Sequence, residues 1–262
     1  MIDLSPPLAQ KTIGILGGMS NHATAQYYAM LNTEMAKAHG GAGNHLAELV
    51  IVSVDYGNIE LFVFNDRWIE AQAYLAEKLD RLEAARPDIV LCASNSMHLA
   101  FEPVIEARDT PYIHIADATG AAMRQAGMSR VGLLGTRFTM GSPQMRTRYA
   151  QGWGIDVIVP DAAGQAIASD IILGELCHGL VTQSGHAILV AEIERLKARG
   201  AQGIILGCTE LCLTFTHDTV LGLPVFDTTG LHVKAAVDFV MGDQTLVMRG
   251  RGHRLDPQSV TA

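Results

Sequence analysis

The chain has 262 residues, 48% of them hydrophobic and 18% charged, with a formal net charge of −8. That length allows one large domain or two of ordinary size, each with a real core, and the negative balance excludes a general nucleic-acid binder, which needs a basic face. No apolar run reaches the roughly 18–20 residues of a bilayer span, and no basic stretch leads into an apolar one near the start, so neither a membrane anchor nor a secretory leader is expected.

Residues 12–18 (TIGILGG) read as a buried strand ending in glycines, followed by a helix over 23–38 and a second strand over 49–54. Residues 67–85 form an amphipathic helix, with Trp68, Ala71, Leu75, Leu79 and Leu82 at helical spacing. A third strand is expected over 88–93 and a fourth over 112–115. The pattern then restarts. RVGLLGT at 130–136 echoes TIGILGG, strand 155–159 and helix 186–199 follow, and GIILGCTE at 203–210 echoes DIVLCASN at 88–95. PVFDTTGLHVKAAV at 224–237 repeats PYIHIADATGAAMRQA at 111–126. Three paired segments in one order indicate an internal duplication: two pseudosymmetric α/β lobes with mainly parallel sheets. The first lobe is read as 11–115 plus 225–241 and the second as 116–224, with 1–10 and 242–262 as flexible tails, the second solvated by Arg249, Arg251 and Arg254.

In parallel α/β sheets, ligands bind beyond the carboxyl ends of the strands. Two facing lobes would therefore set Ser94 and Cys208 on opposite walls of a cleft. Cys208 stands where a strand meets the next helix, and the N–H groups of a helix N-terminus lower a thiol pKa. A thiolate there can remove a proton from carbon or attack an electrophile; a small packed residue is the structural alternative. Cys92, Cys177 and Cys212 read as packing residues, and the four cysteines contain no CxxC pair, which points to reduced cytoplasmic thiols rather than a zinc or redox site.

Ser94, Asn95 and Ser96 offer hydroxyls, an amide and backbone N–H groups that suit a carboxylate or a developing oxyanion, or that cap the following helix. Thr209 and Glu210 play the same part in the second lobe. The turn Gly17-Gly18-Met19-Ser20 can admit a carboxylate or phosphate. It is not GxGxxG, and Asp55 is followed by Tyr-Gly rather than a helix start, so a dinucleotide site is not supported. Thr136 and Arg137 end the matching strand of the second lobe; Arg137 is the best-placed cation, for a ligand or for an ion pair. His98, His114 and His232 are each single in sequence and show no ligand spacing, so no metal site is expected. Asp117 and Asp227 match between the repeats and read as helix caps.

Taken together, GILGGMS, ASNSMH, HIADAT, VGLLGTRFTM, the ELC segment around Cys177, ILGCTEL and PVFDTT resemble the cofactor-independent aspartate/glutamate racemase family, from about residue 11 to 241. The resemblance implies a two-lobed fold and inversion of an amino-acid α-carbon by two facing acid–base groups, without pyridoxal phosphate or metal. It implies Cys208 as one of these groups, and Asn95 and Ser96 as the carboxylate turn, with Met19 and Ser20 nearby and Thr209 opposite. Two departures stand out. The other acid–base position, a cysteine in typical members and a threonine in some, is Ser94, a far weaker acid than a thiol. Aspartate-specific relatives place basic residues after the second strand of each lobe, whereas DYGNIELF (55–62) and PDAAGQAIA (160–168) contain neither Lys nor Arg. Asp55, Glu60 and Asp161 would repel a second carboxylate, leaving Arg67 or Arg137 as substitutes.

The leading expectation is an amino-acid racemase acting through Cys208 and Ser94 on a small-molecule substrate, cytoplasmic, with no cofactor, and a homodimer as in relatives. A single-cysteine decarboxylase or maleate-type isomerase of the same superfamily is the enzymatic alternative. A non-catalytic small-molecule binder is the third.

Overall fold

The computed structural model describes residues 9–41 and 44–250. In chain order the first half holds β1 (Ile13–Gly17), α1 (Asn21–Ala38), β2 (Leu49–Ser53), α2 (Tyr56–Phe64), α3 (Trp68–Glu83), β3 (Ile89–Cys92) and α4 (His98–Ile105). The second holds α5 (Ile115–Gln125), β4 (Arg130–Gly135), α6 (Arg137–Met140), α7 (Pro143–Trp153), β5 (Asp156–Ile158), α8 (Ala162–Gly174), α9 (Gln183–Ala198), β6 (Ile204–Gly207), β7 (Thr219–Val220), β8 (Leu223–Asp227) and α10 (Thr228–Val240). Short 3-10 turns cover Leu176–His178 and Thr209–Leu213.

The duplication is visible in the sheets. The first runs β2-β1-β3 and the second β5-β4-β6-β8-β7. Every pairing is parallel except β7 with β8, and Tyr112 forms a parallel bridge to Val90 where β8 pairs with β6 in the other lobe. β1, β3 and β6 are buried along their whole length, as expected of continuous apolar strands covered by helices on both faces. On α3, Ala71, Leu75, Leu79 and Leu82 are fully buried at steps of three and four. Each such leucine stabilises the fold by about 1.5–3 kcal/mol over an exposed one.

Two helices cross between the lobes. α5 follows the Tyr112 bridge of the first sheet but packs on α7, while α10 follows β8 of the second sheet but packs on α1. The two also pack on each other. The expected boundary at 224/225 falls inside β8, which stays paired with β6 from Val225 to Asp227.

Three expectations change. The strand over 112–115 reduces to the single bridge at Tyr112, because Ile115 already opens α5, whose cap is the His114 ring accepting from Ala116 N–H at 3.0 Å. Asp55 does start a helix: its carboxylate accepts from Gly57 N–H at 3.0 Å and caps α2, a turn-to-helix role that the Tyr-Gly pair concealed. The C-terminal segment is docked rather than loose as far as it is described. Tyr112 and Met248 exchange backbone hydrogen bonds of 3.0 and 2.7 Å, and Val247 and Met248 are buried. The rest of that expected tail and most of the N-terminal one lie outside the described residues. Among the described residues no helix is long and apolar enough to cross a membrane.

Candidate active site

A cleft of about 600 Å³, counting its open mouth, lies at the carboxyl ends of the strands between the lobes. The loops after β1 and β3 supply Met19, Ser20, Ser94, Asn95 and Ser96; those after β4 and β6 supply Thr136, Cys208, Thr209 and Glu210. Nine side chains expected at a site from sequence therefore share one cleft. They converge because a parallel strand must end in a turn, and the turns of β1, β3, β4 and β6 all open on the same side.

Cys208 is half-buried and extended, with φ −142° and ψ 136°, at the end of β6. Its thiol donates to the Glu210 Oε2 at 3.0 Å. The Glu210 carboxylate also accepts from the Thr209 hydroxyl at 2.6 Å and, through Oε1, from Ser20 at 2.7 Å, a bond that joins the two lobes. Burial first and the Glu210 charge second hold the thiol well above its usual range. The expectation of a thiol acidified by a helix N-terminus is thus reversed in the resting site. The segment that follows is a five-residue 3-10 turn, and the nearest charge is negative.

Across the cleft, Ser94 Oγ accepts from Met97 N–H at 3.4 Å, a long bond that leaves its own proton free. The backbone of Ser94 is held from behind. His98 Nδ1 bonds the Ser94 carbonyl at 2.6 Å, so the proton is on Nδ1, and Nε2 accepts from Ile115 N–H at 3.4 Å. Burial pushes His98 down to about 3, which keeps this neutral tautomer. α4 starts at His98 with no side-chain cap, so Asn95 and Ser96 are not used as caps. Asn95 donates instead to Thr228 Oγ1 at 2.9 Å, which in turn donates to the Leu206 carbonyl at 2.8 Å, a second link between the lobes. Ser96 is half-buried and faces the cleft.

The glycine turn is built for packing rather than for an anion. Gly18 has φ +88°, its N–H is taken by Thr24 Oγ1 at 2.7 Å, and a Cβ there would lie 2.3 Å from the Val54 carbonyl. Of that turn, Met19 and Ser20 reach the cleft.

Arg137 does not line the cleft. It is exposed on α6, with its guanidinium 5.0 Å from the Phe64 ring centre and 4.8 Å from that of Phe138. Glu60 of α2, read from sequence as repelling a second carboxylate, also lines the cleft. Other lining residues were not singled out from sequence: Tyr56, Ile59 and Phe64 of α2, Phe138 of α6 and Leu173 of α8. Cys177, expected to be packing, faces this cavity, and its thiol is pushed up to about 12 by burial and by the charges of Glu210 and Glu60. Of the matched aspartates, Asp227 caps α10 through Thr229 and Gly230 N–H. Asp117 does not cap; it takes both Nε and Nη2 of Arg148, at 3.0 and 2.6 Å, and the Trp153 indole at 3.0 Å.

The sequence pattern of the Asp/Glu/Hydantoin racemase family matches residues 16–236. The chain is 24% identical over 242 residues to the broad specificity amino-acid racemase RacX of Bacillus subtilis (strain 168), covering 89% of this chain and all of that one. The crystal structure of a candidate Asp/Glu racemase from Yersinia pestis superposes with a TM-score of 0.80 at 35% identity, over 88% of this chain and 99% of the other. That of an aspartate racemase homologue from Pyrococcus horikoshii OT3 does so at 0.74 and 27%, with the same coverage.

Proposed function

The chain belongs to the Asp/Glu/hydantoin racemase family, and from that premise we propose that it inverts the α-carbon of a free amino acid with Cys208 and Ser94 as the two facing proton-transfer groups. The observation that carries this reading is the Cys208–Glu210 hydrogen bond in a cleft that Ser94 also lines. A neutral thiol beside a carboxylate is a base in waiting. When the substrate ammonium enters and offsets the negative charge of the dyad, the thiol proton passes to Glu210 and the thiolate takes the α-proton. The free donors of the Ser94–Ser96 turn hold the substrate carboxylate and stabilise the carbanion. Ser94 hands its hydroxyl proton to the opposite face and recovers one through solvent from Glu210, which restores every group to its starting state.

The protonated thiol favours one other reading. A decarboxylase of the same superfamily needs a thiol that donates to one face of a carbanion, and Cys208 at rest is such a donor. Proton NMR in D₂O, combined with optical rotation, separates the two. A racemase exchanges the α-proton of an amino acid and inverts it, and Cys208→Ala lowers the rate by about 10²–10⁴-fold. Turnover of substituted malonates without exchange of any amino acid would reject the racemase reading.

A further inference from the structure

Resting on the racemase reading, we propose that the cleft selects a cationic amino acid, one whose aliphatic side chain ends in an ammonium or guanidinium group, and that Glu60 is the residue that selects it. Among the described residues lining the cleft there is neither Lys nor Arg, while Glu60 and Glu210 are both present. The two carboxylates are not equivalent. Glu210 is occupied by Ser20, Thr209 and Cys208. Glu60 has no hydrogen bond or ion pair among the described residues and sits exposed on α2, at the cleft mouth.

Apolar side chains line the same cleft: Ile59, Val63 and Phe64 of α2, with Phe138 and Leu173 from the other lobe. A substrate whose carboxylate sits at the serine turn would lay its methylenes along that wall and reach Glu60 with its far end. The charge of Glu60 acts inside the cleft, where it adds to burial in raising both Tyr56 and Cys177. A dicarboxylic acid would find two negative groups and no partner for its second carboxylate. Arg137 is held outside the cleft on the Phe64 and Phe138 rings. A neutral chain would fit the wall but leave Glu60 without a counter-charge.

Lysine is norleucine with an ammonium group in place of one hydrogen of the terminal methyl, so their ratio isolates the Glu60 contribution. The experiment measures kcat/KM for α-proton exchange with lysine, ornithine, norleucine, aspartate and glutamate, in the native protein and Glu60→Gln. Lysine or ornithine is expected to exceed norleucine and both acidic substrates by about tenfold or more. Glu60→Gln should bring the lysine-to-norleucine ratio to within about threefold, chiefly through KM for lysine. Aspartate or glutamate as the best substrate, or norleucine equal to lysine in the native protein, would overturn the cationic class and leave the racemase standing. A lysine preference unchanged in Glu60→Gln would overturn the role of Glu60. No exchange with any of the five would overturn the racemase reading beneath the proposal.

Discussion

A thiol and a carboxylate 3.0 Å apart cannot both be ionised cheaply, and burial together with Glu210 holds the Cys208 thiol well above its usual range. In the proposed reaction Glu210 thus has two opposite effects: it suppresses the resting thiolate and provides the site to which the thiol proton moves. Glu210→Gln preserves the shape of the contact while removing the charge, so its effects should diverge. Alkylation of Cys208 at pH 8.5, followed by mass mapping against Cys177 and Cys212, should become faster, because the thiol pKa falls when the neighbouring charge is lost. Amino-acid exchange should slow by about 10²-fold or more, because the proton acceptor is gone. If both rates fell together, Glu210 would be a packing residue; if both rose, it would be an inhibitor of the thiol and nothing more. Cys208, Ser94 and Asn95 were legible in the sequence because each follows an apolar strand and a strand end has a fixed place in a parallel sheet. Phe64, Phe138 and Leu173 were not, since they lie on helices whose cleft-facing side is decided by packing. The sign of the Cys208 shift was missed for a related reason: Glu210 is two residues away in sequence, and only the tight 3-10 turn brings its carboxylate back to the sulfur.

At the scale of elements, the repeat was readable because strands with the same sequence pattern occupy the same sheet positions. β2-β1-β3 and Tyr112 in one lobe match β5-β4-β6-β8 in the other. The break in symmetry lies after the first strand, where one lobe has α1 and the other α6 and α7; after the second strand α2 and α3 match α8 and α9. The apolar run LFVF of α2 has no helical period to read. α2 forms one wall of the cleft and meets the second lobe through a stack of rings: Phe64 lies edge-on to Phe138 at 5.4 Å, and Arg137 covers both. An exposed cation–π contact contributes ~0.5–1 kcal/mol, so Arg137→Ala should raise KM by about two- to fivefold and leave kcat within about twofold. Because Arg137 acts through the rings, combining it with Phe64→Leu should give a double variant little worse than the poorer single one. Strictly additive losses would mean instead that Arg137 reaches the substrate directly.

Across the whole molecule, three histidines that are isolated in sequence meet in the interior. The His98 ring packs at a tilt of 55° on that of His114, with centres 4.3 Å apart, and lies 6.1 Å from His232. All three are nearly inaccessible to solvent, and hydrogen bonding fixes each as a neutral ring: His98 donates to Ser94, His114 accepts from Ala116, and His232 donates to Ile113 while accepting from Tyr27. Burial holds His98 at about 3, His232 at about 4 and His114 well below its ordinary value, the last aided by Arg148. Since these pKa values are depressed by folding, the unfolded chain binds more protons below about pH 6.5, and stability falls as pH falls through that window. At pH 5 His98 and His232 each cost about 2 kcal/mol, with His114 acting in the same sense, against a total of about 5–15 kcal/mol for an ordinary domain. Glu102 and Asp227, whose carboxyls are raised by burial, act in the opposite sense and offset part of the loss at the acid end. Urea midpoints measured at steps from pH 7.5 to 5.0 should therefore drop steeply below 6.5, with the slope reporting uptake of two to three protons on unfolding. In the folded chain His98 keeps its neutral ring, and with it the bond to the Ser94 carbonyl, down to about 3, so exchange activity between pH 6.5 and 5 should follow the folded fraction alone. A protein equally stable at pH 7.5 and 5.0 would mean that these rings are not buried in their neutral form.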